Sequence, residues 1–210
     1  MRLFPVSRTL IAVFAAVLGL TACGDKPLSQ NLQGLISSDK PAFQNTDITG
    51  IDYAKGFALT DHNGKPRTLA DFKGKAVVVF FGYTQCPDVC PTTMAEMASV
   101  MQALGPLSDR VQVLFVTIDP ERDTQALLAH YVPAFDSRFL GLVGDKAATE
   151  KVAKDFRIFY QKAPGKEPGS YTMDHTAGSY VFDPEGRIRL FVRHGQGAGP
   201  IVNDLKLLLK

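Results

Sequence analysis

Residues 80–94 read FFGYTQCPDVCPTTM. The stretch grows out of an unbroken apolar run with three valines, residues 76–81, the pattern of a strand buried on both faces. Pro91 suits a first helical turn. Met94, Met97, Ala98, Met101 and Leu104 then recur at helical spacing. That spacing tracks one helical face, so the methionines read as packing against a sheet rather than as soft metal ligands. A buried strand thus hands over to a helix through a short loop carrying Cys86 and Cys90. If the segment turns helically, residues four apart share a face. Their Cα atoms then fall in the range a disulfide tolerates, about 4.4–6.8 Å. The helix N-terminus supplies partial positive charge and free N–H groups, which favour thiolate. The pair can form a reversible Cys86–Cys90 disulfide or chelate an ion, and spacing does not choose between them. A purely structural bridge is the bland alternative; so small a loop constrains the unfolded chain little. Asp88, between the cysteines, is a candidate to tune charge on a bound ion or to cap the helix.

Outward from this loop, residues 111–118 form a second buried strand ending at Asp119-Pro120. Residues 124–135 read as a helix, 139–143 as a brief strand or loop, and Asp145 as the cap of a helix running to about residue 156. Strands at 179–182 and 187–192 flank the turn Asp183-Pro184-Glu185-Gly186, and a helix over 201–209 closes the chain. Upstream, residues 57–60 and 67–69 read as a hairpin turning at His62-Asn63-Gly64. No internal repeat or low-complexity tract is apparent. The order of elements predicts an α/β domain: a central mixed sheet flanked by helices, with an extra N-terminal hairpin. With the cysteines between the first buried strand and its helix, it resembles the thioredoxin fold. Asp119, Glu121, Arg122 and Asp123 read as a solvated ion-pair cluster, with a docking surface as the alternative.

The choice left open by the cysteines turns on GSYTMDHTAGSYVFDPEGRI, residues 169–188. His175 precedes a strand expected to pair centrally. In a thioredoxin-like sheet the loop entering that strand faces the cysteine loop. Redox thioredoxins place a cis-proline there; this chain has no proline between Pro168 and Pro184, and offers His175 with Asp174 beside it. Two thiolates and an imidazole suit Cu(I) in a roughly trigonal site, whereas structural zinc usually takes four protein ligands. Asp174 is a candidate to orient His175 from outside the ligand set or to bond backbone in the turn. His62 and His130 read as surface residues, and His194 as a distant candidate ligand.

The N-terminus adds a destination. Arg2 and Arg8 precede an apolar run over residues 10–20, too short for a bilayer span of about 20 residues and right for a secretory signal over residues 1–22. Leu20-Thr21-Ala22-Cys23 resembles a bacterial lipoprotein box, so Cys23 is expected to carry lipid. Residues 23–50, polar at first and without apolar period, read as a tether, and 51–210 as the folded domain; an arm folded from about Phe43 is the alternative. Loss of Arg2 and Arg8 leaves 21 basic against 21 acidic residues. A neutral balance gives no electrostatic basis for nucleic-acid binding. Outside the cytoplasm disulfides persist, and Cys86 and Cys90 alone remain to form one.

Three blocks, residues 80–94, FVTIDPERDT at 115–124 and DHTAGSYVFDPEGRI at 174–188, resemble the Sco/SenC family of copper chaperones. The similarity runs from about residue 57 to 209. The resemblance implies a membrane-anchored thioredoxin-like domain binding one copper ion, Cu(I) or Cu(II), through Cys86, Cys90 and His175. It implies a partner in subunit II of cytochrome c oxidase, whose dinuclear copper site such proteins load, or whose cysteines they reduce. Other copper chaperones or thiol reductases would be further partners. Many family members use a transmembrane helix, where a lipid is expected here. The expected protein is a monomeric chaperone rather than a turnover enzyme, facing the periplasm from the inner or outer membrane. The rivals are an extracytoplasmic thiol–disulfide oxidoreductase and a peroxide reductase on the same scaffold.

Overall fold

The computed structural model describes residues 42–210. The signal segment, Cys23 and most of the tether lie outside the described residues.

The centre of the domain is the valine-rich run. All seven residues of β4 (Ala76–Gly82) and of β5 (Val111–Thr117) are buried. Alternate side chains of a strand point to opposite faces, so both faces of the sheet are covered. β4 pairs in parallel with β5, from Ala76↔Val111 to Gly82↔Thr117, and antiparallel with β9 (Gly178–Phe182), from Val77↔Phe182 to Phe80↔Ser179. β1 (Thr46–Asp47), β10 (Ile188–Arg193), β6 (Leu140–Val143), β2 (Ala58–Asp61) and β3 (Pro66–Thr68) complete an eight-stranded mixed sheet. Its order is β1-β10-β9-β4-β5-β6-β2-β3. The expected N-terminal hairpin is β2–β3, at one edge. Helix α1 (Val89–Leu104) links β4 to β5, and α2 (Gln125–Tyr131) links β5 to β6, as parallel neighbours require. α3 (Lys146–Asp155) is capped by Asp145, which accepts the Ala148 N–H at 2.7 Å, and α4 (Ala198–Leu208) packs on α1. The fold is thioredoxin-like. Met94, Met97 and Met101 are fully buried core residues, as their spacing predicts.

The structure corrects or extends the sequence reading at four points. First, the packed unit begins before residue 51, as the alternative of an arm folded from about Phe43 has it. Thr46 and Asp47 pair with Phe191 and Leu190, and the buried Asp204 carboxylate accepts the N–H groups of Gln44 and Asn45, each at 2.8 Å. Second, residues 160–175 hold a separate two-stranded sheet, β7 (Tyr160–Pro164) with β8 (Tyr171–His175). Its proline, glycine and lysine content hides it from apolar periodicity. Third, α1 starts at Val89, so Cys90 lies inside the first turn rather than before it.

Fourth, two turns share a local device, Asp-x-x-Gly-(Lys/Arg)-x-Arg, at residues 61–67 and 183–189. Asp61 accepts the N–H groups of Asn63 and Lys65 and the Arg67 Nε. Asp183 accepts those of Glu185 and Arg187, then Arg187 Nε and Arg189 Nη1. Gly64 and Gly186 take the left-handed φ of 82° and 79° that closes each turn. Burial alone would raise both carboxyl pKa values; the hydrogen bonds outweigh it and hold them low.

His62 is not a surface residue. It is 9% exposed, and its Nδ1 accepts the Gly141 N–H at 3.0 Å while its own N–H donates to the Gly141 carbonyl. Burial lowers its pKa, partly opposed by Asp61. The unfolded chain therefore takes up a proton near pH 6.5 that the folded chain refuses until lower pH, so stability falls as pH drops through this window. In urea melts at pH 7.5, 6.0 and 5.0, the parent is expected to lose more stability over the series than His62→Gln.

Candidate metal centre

β4 delivers the cysteine loop through Gly82. A Cβ there would lie 3.0 Å from Cys90 Sγ and 2.9 Å from Phe80, so only glycine lets the sulfur seat against the sheet. The loop start is pinned from below. The buried Asp123 carboxylate accepts the Thr84 N–H at 3.0 Å, the Thr84 hydroxyl at 2.6 Å and the Thr117 hydroxyl at 2.6 Å. At its far end Cys86 Sγ accepts the Cys90 N–H at 3.3 Å. The sulfur occupies the role an N-cap oxygen usually has. Asp88, at the N-cap position, makes no side-chain cap bond and is exposed, so the capping expectation for its carboxylate fails.

His175 ends β8, opposite Tyr160. Its Nε2 lies 3.6 Å from Cys90 Sγ, and the three ligand atoms of Cys86, Cys90 and His175 all fall within 4.8 Å of one another. Nδ1 lies 3.0 Å from the Thr176 carbonyl, which can only accept, so Nδ1 carries a hydrogen and Nε2 is the nitrogen turned to the sulfurs. The orienting partner is thus a backbone carbonyl, and the exposed Asp174 does not fill the role expected for it. The imidazole meets Phe80 and Tyr83 edge-on, with ring centroids 6.3 and 6.0 Å away.

The other histidines lie elsewhere. His130 is exposed, as expected, and exposed His194 bonds through Nδ1 to the Thr93 hydroxyl at 2.9 Å. Among the described residues the trio is the one group of its kind. Asp119 and Asp123 are buried, not solvated, because they bond inward to Tyr171, Thr84 and Thr117. Gly82, Thr84 and Thr176 escaped the sequence reading; the glycine directly after the apolar run of residues 76–81 was the available signal for the first.

The two sulfurs are electrically unequal. A hydrogen bond from Cys90 lowers the Cys86 pKa to about 3, helped by His175 and the N–H groups of Asp88 and Cys90 against the opposing effect of burial. Donating that bond, and burial, push the Cys90 thiol up. At neutral pH the metal-free pair holds one thiolate, half-exposed, and one buried thiol. Such a pair can release its last proton to solvent as a thiophilic cation binds, or attack a disulfide through Cys86 and resolve through Cys90.

Iodoacetamide is expected to label Cys86 first, at a rate nearly flat between pH 8 and pH 5. In Cys90→Ala the donor is gone, the Cys86 pKa rises, and the rate should fall over the same range. Mass spectrometry of the labelled peptides checks both.

A family model described as SCO1/SenC matches residues 45–210. The mitochondrial SCO2 homolog of Mus musculus is 36% identical over 152 residues, which cover 71% of this chain and 60% of that protein. The chain thus spans about three fifths of that curated relative's length. Among solved structures, copper-bound ScoI of Bradyrhizobium japonicum is similar with a TM-score of 0.66 at 44% identity, covering 72% of this chain and 96% of that one. A SCO1/SenC family lipoprotein of Bacillus anthracis str. Ames, 25% identical, gives 0.66 over 80% of this chain and 100% of that one. With the model spanning most of its residues, this chain belongs to the SCO1/SenC family.

Proposed function

We propose that the protein binds one copper ion through Cys86 Sγ, Cys90 Sγ and His175 Nε2. It would hand the ion to the dinuclear copper site of cytochrome c oxidase subunit II. The observation that carries the reading is the convergence of three soft-to-borderline ligand atoms, from two distant segments, within 4.8 Å. Their chemistry fits copper: thiolate and imidazole suit Cu(I), which accepts three ligands, whereas a closed zinc site takes a fourth. The copper-bound state of the Bradyrhizobium japonicum neighbour supports the same metal.

Copper here is cargo, so release matters as much as retention. Cys90 is wholly buried, whereas Cys86 and His175 border an open groove of about 370 Å³ lined also by Tyr83, Pro87, Asp88, Thr172 and Asp174. An acceptor's ligand can reach the ion from the groove side and displace Cys86 or His175 first, leaving Cys90 as the last contact. The imidazole needs no proton rearrangement for this, since Nδ1 stays bonded to Thr176.

The domain works from the periplasmic side of a bacterial membrane in this reading, as a monomer tethered by lipid on Cys23. The box at residues 20–23 and the lipoprotein among the structural neighbours support the anchor. No helix among the described residues is long and apolar enough to cross a membrane.

A second reading, thiol–disulfide exchange on the acceptor's cysteines, is favoured by the free Cys86 and Cys90, one thiolate beside one thiol. Two electrons and the Cys90 proton would pass to the substrate disulfide as the Cys86–Cys90 bond forms.

Metal content and Cu(I) competition against a chromophoric chelator separate the two. Cys86→Ala, Cys90→Ala and His175→Ala are each expected to lower Cu(I) affinity by more than about 100-fold, beyond the loss typical of outer-sphere changes. Unchanged affinity and an unchanged Cu(II) spectrum in His175→Ala would exclude the three-ligand site. Undiminished reduction of a disulfide substrate by metal-free His175→Ala would support the exchange reading.

A further inference from the structure

The hairpin that carries His175 belongs to no strand of the main sheet: β7 pairs only with β8. Two residues join it to β9 and its Met173 is buried, while the side chains that tie its outer end to the cysteine loop converge on one residue. Arg122 lies in the loop after β5. Its Nη1 donates to the Gln85 Oε1 at 3.0 Å and to the Tyr171 carbonyl at 2.8 Å. Gln85 is the residue before Cys86; Tyr171 opens the strand that His175 ends. The Arg122 Nε pairs with Asp119, whose other oxygen accepts the Tyr171 hydroxyl at 3.0 Å. The guanidinium carbon sits 3.6 Å from the Tyr171 ring centroid and 5.6 Å from that of Tyr83. Lys162 of β7 adds a second cation at 4.5 Å from the Tyr171 ring and pairs with Glu121 at 2.6 Å.

We propose that Arg122 is a positioning residue that holds the His175 hairpin and the Cys86 loop at a fixed separation. One planar group touches both ligand-bearing segments and is itself anchored to the rigid end of β5 through Asp119. Nothing smaller or less planar does this. The two Nη1 hydrogens point to acceptors on different segments while the flat face stacks on Tyr171; a lysine ammonium can replace one contact but not the set. The placement also explains an otherwise costly detail. Arg122 Nη2 is buried without a partner, a penalty that an ion pair serving stability alone has no cause to carry. The orientation that bridges Gln85 and Tyr171 leaves that nitrogen over.

The effect on metal affinity rests on the three-ligand reading; the effect on the hairpin does not. In metal-free protein, Arg122→Met is expected to speed amide hydrogen exchange across residues 160–175 while residues 76–82 and 111–117 keep their protection. With copper, it is expected to lower Cu(I) affinity by about tenfold or more, the scale of changes just outside a ligand set. His175→Ala should then cost far less in the Arg122→Met background than in the parent, because a misplaced imidazole has less to lose. Arg122→Lys should fall between. Gln85→Ala, at an exposed position, removes only the contact beside Cys86 and serves if Arg122→Met does not fold. Its expected result is a smaller affinity loss with parent-like exchange in the hairpin. Parent-like hairpin exchange in folded Arg122→Met and Arg122→Lys overturns the proposal, as does a strictly additive pair of losses. If His175→Ala alone leaves parent affinity intact, the three-ligand reading fails instead, and hairpin exchange alone decides for or against the clamp.

Discussion

The antiparallel pairing of β4 with β9 brings both ligand-bearing segments to the same end of the sheet. Its register runs Val77↔Phe182 to Phe80↔Ser179. Continued two residues, it sets Gly82, where the chain leaves for the cysteines, opposite Ala177, where it arrives from His175. An antiparallel neighbour is required: a parallel strand there would begin at the opposite end of the sheet. The hydrophobic drive that buries the valine run thus also closes some 85 residues of sequence separation between Cys90 and the imidazole. No affinity between ligands is needed to bring them together.

That logic explains what could be read from residues alone. The buried strands, the methionine face of α1 and the hairpin turns all follow from local periodicity and turn chemistry. The trio could be named because the cysteines mark the exit of one central strand and the histidine the entry of the other. What failed was decided by tertiary partners. His62 looks like a turn residue until β6 supplies Gly141 for its ring nitrogen to bond. Asp119 and Asp123 look solvated until Tyr171, Thr84 and Thr117 reach them. The β7–β8 hairpin has no apolar alternation because it lies on the body rather than within the sheet. Asp174 was one candidate to orient His175, yet Thr176 offers a carbonyl from the adjacent residue, so the orientation needs no carboxylate. The Asp-x-x-Gly device was visible at both turns, but only its bonds show that the two are the same object.

The two cysteines make metal binding and redox chemistry exclusive uses of the same electrons. The sulfur lone pairs that would hold copper are those that a Cys86–Cys90 bond would consume. Burial of Cys90 and the hydrogen bond between the sulfurs store one proton in the metal-free pair. A cation must displace that proton, so metal binding releases protons, whereas an oxidant must remove it together with two electrons. The two uses therefore respond to different conditions in the surroundings although they share one turn of helix.

Five carboxylates of this domain, Asp61, Asp119, Asp123, Asp183 and Asp204, are at most 2% exposed. Buried charge is poor material for stability, since desolvation offsets much of what its partners contribute. Each of these instead gathers donors from a loop that the hydrophobic core leaves undetermined. Asp61 and Asp183 close turns at the sheet's ends, and Asp204 ties the first strand to the last helix. Asp119 and Asp123 lie in one short loop and grip the two segments that bear the ligands. A core of valine and phenylalanine can hold strands in register, but it has no means to fix an imidazole 3.6 Å from a sulfur. Directional bonds to buried acceptors do, and the loop after β5 is where this fold concentrates them.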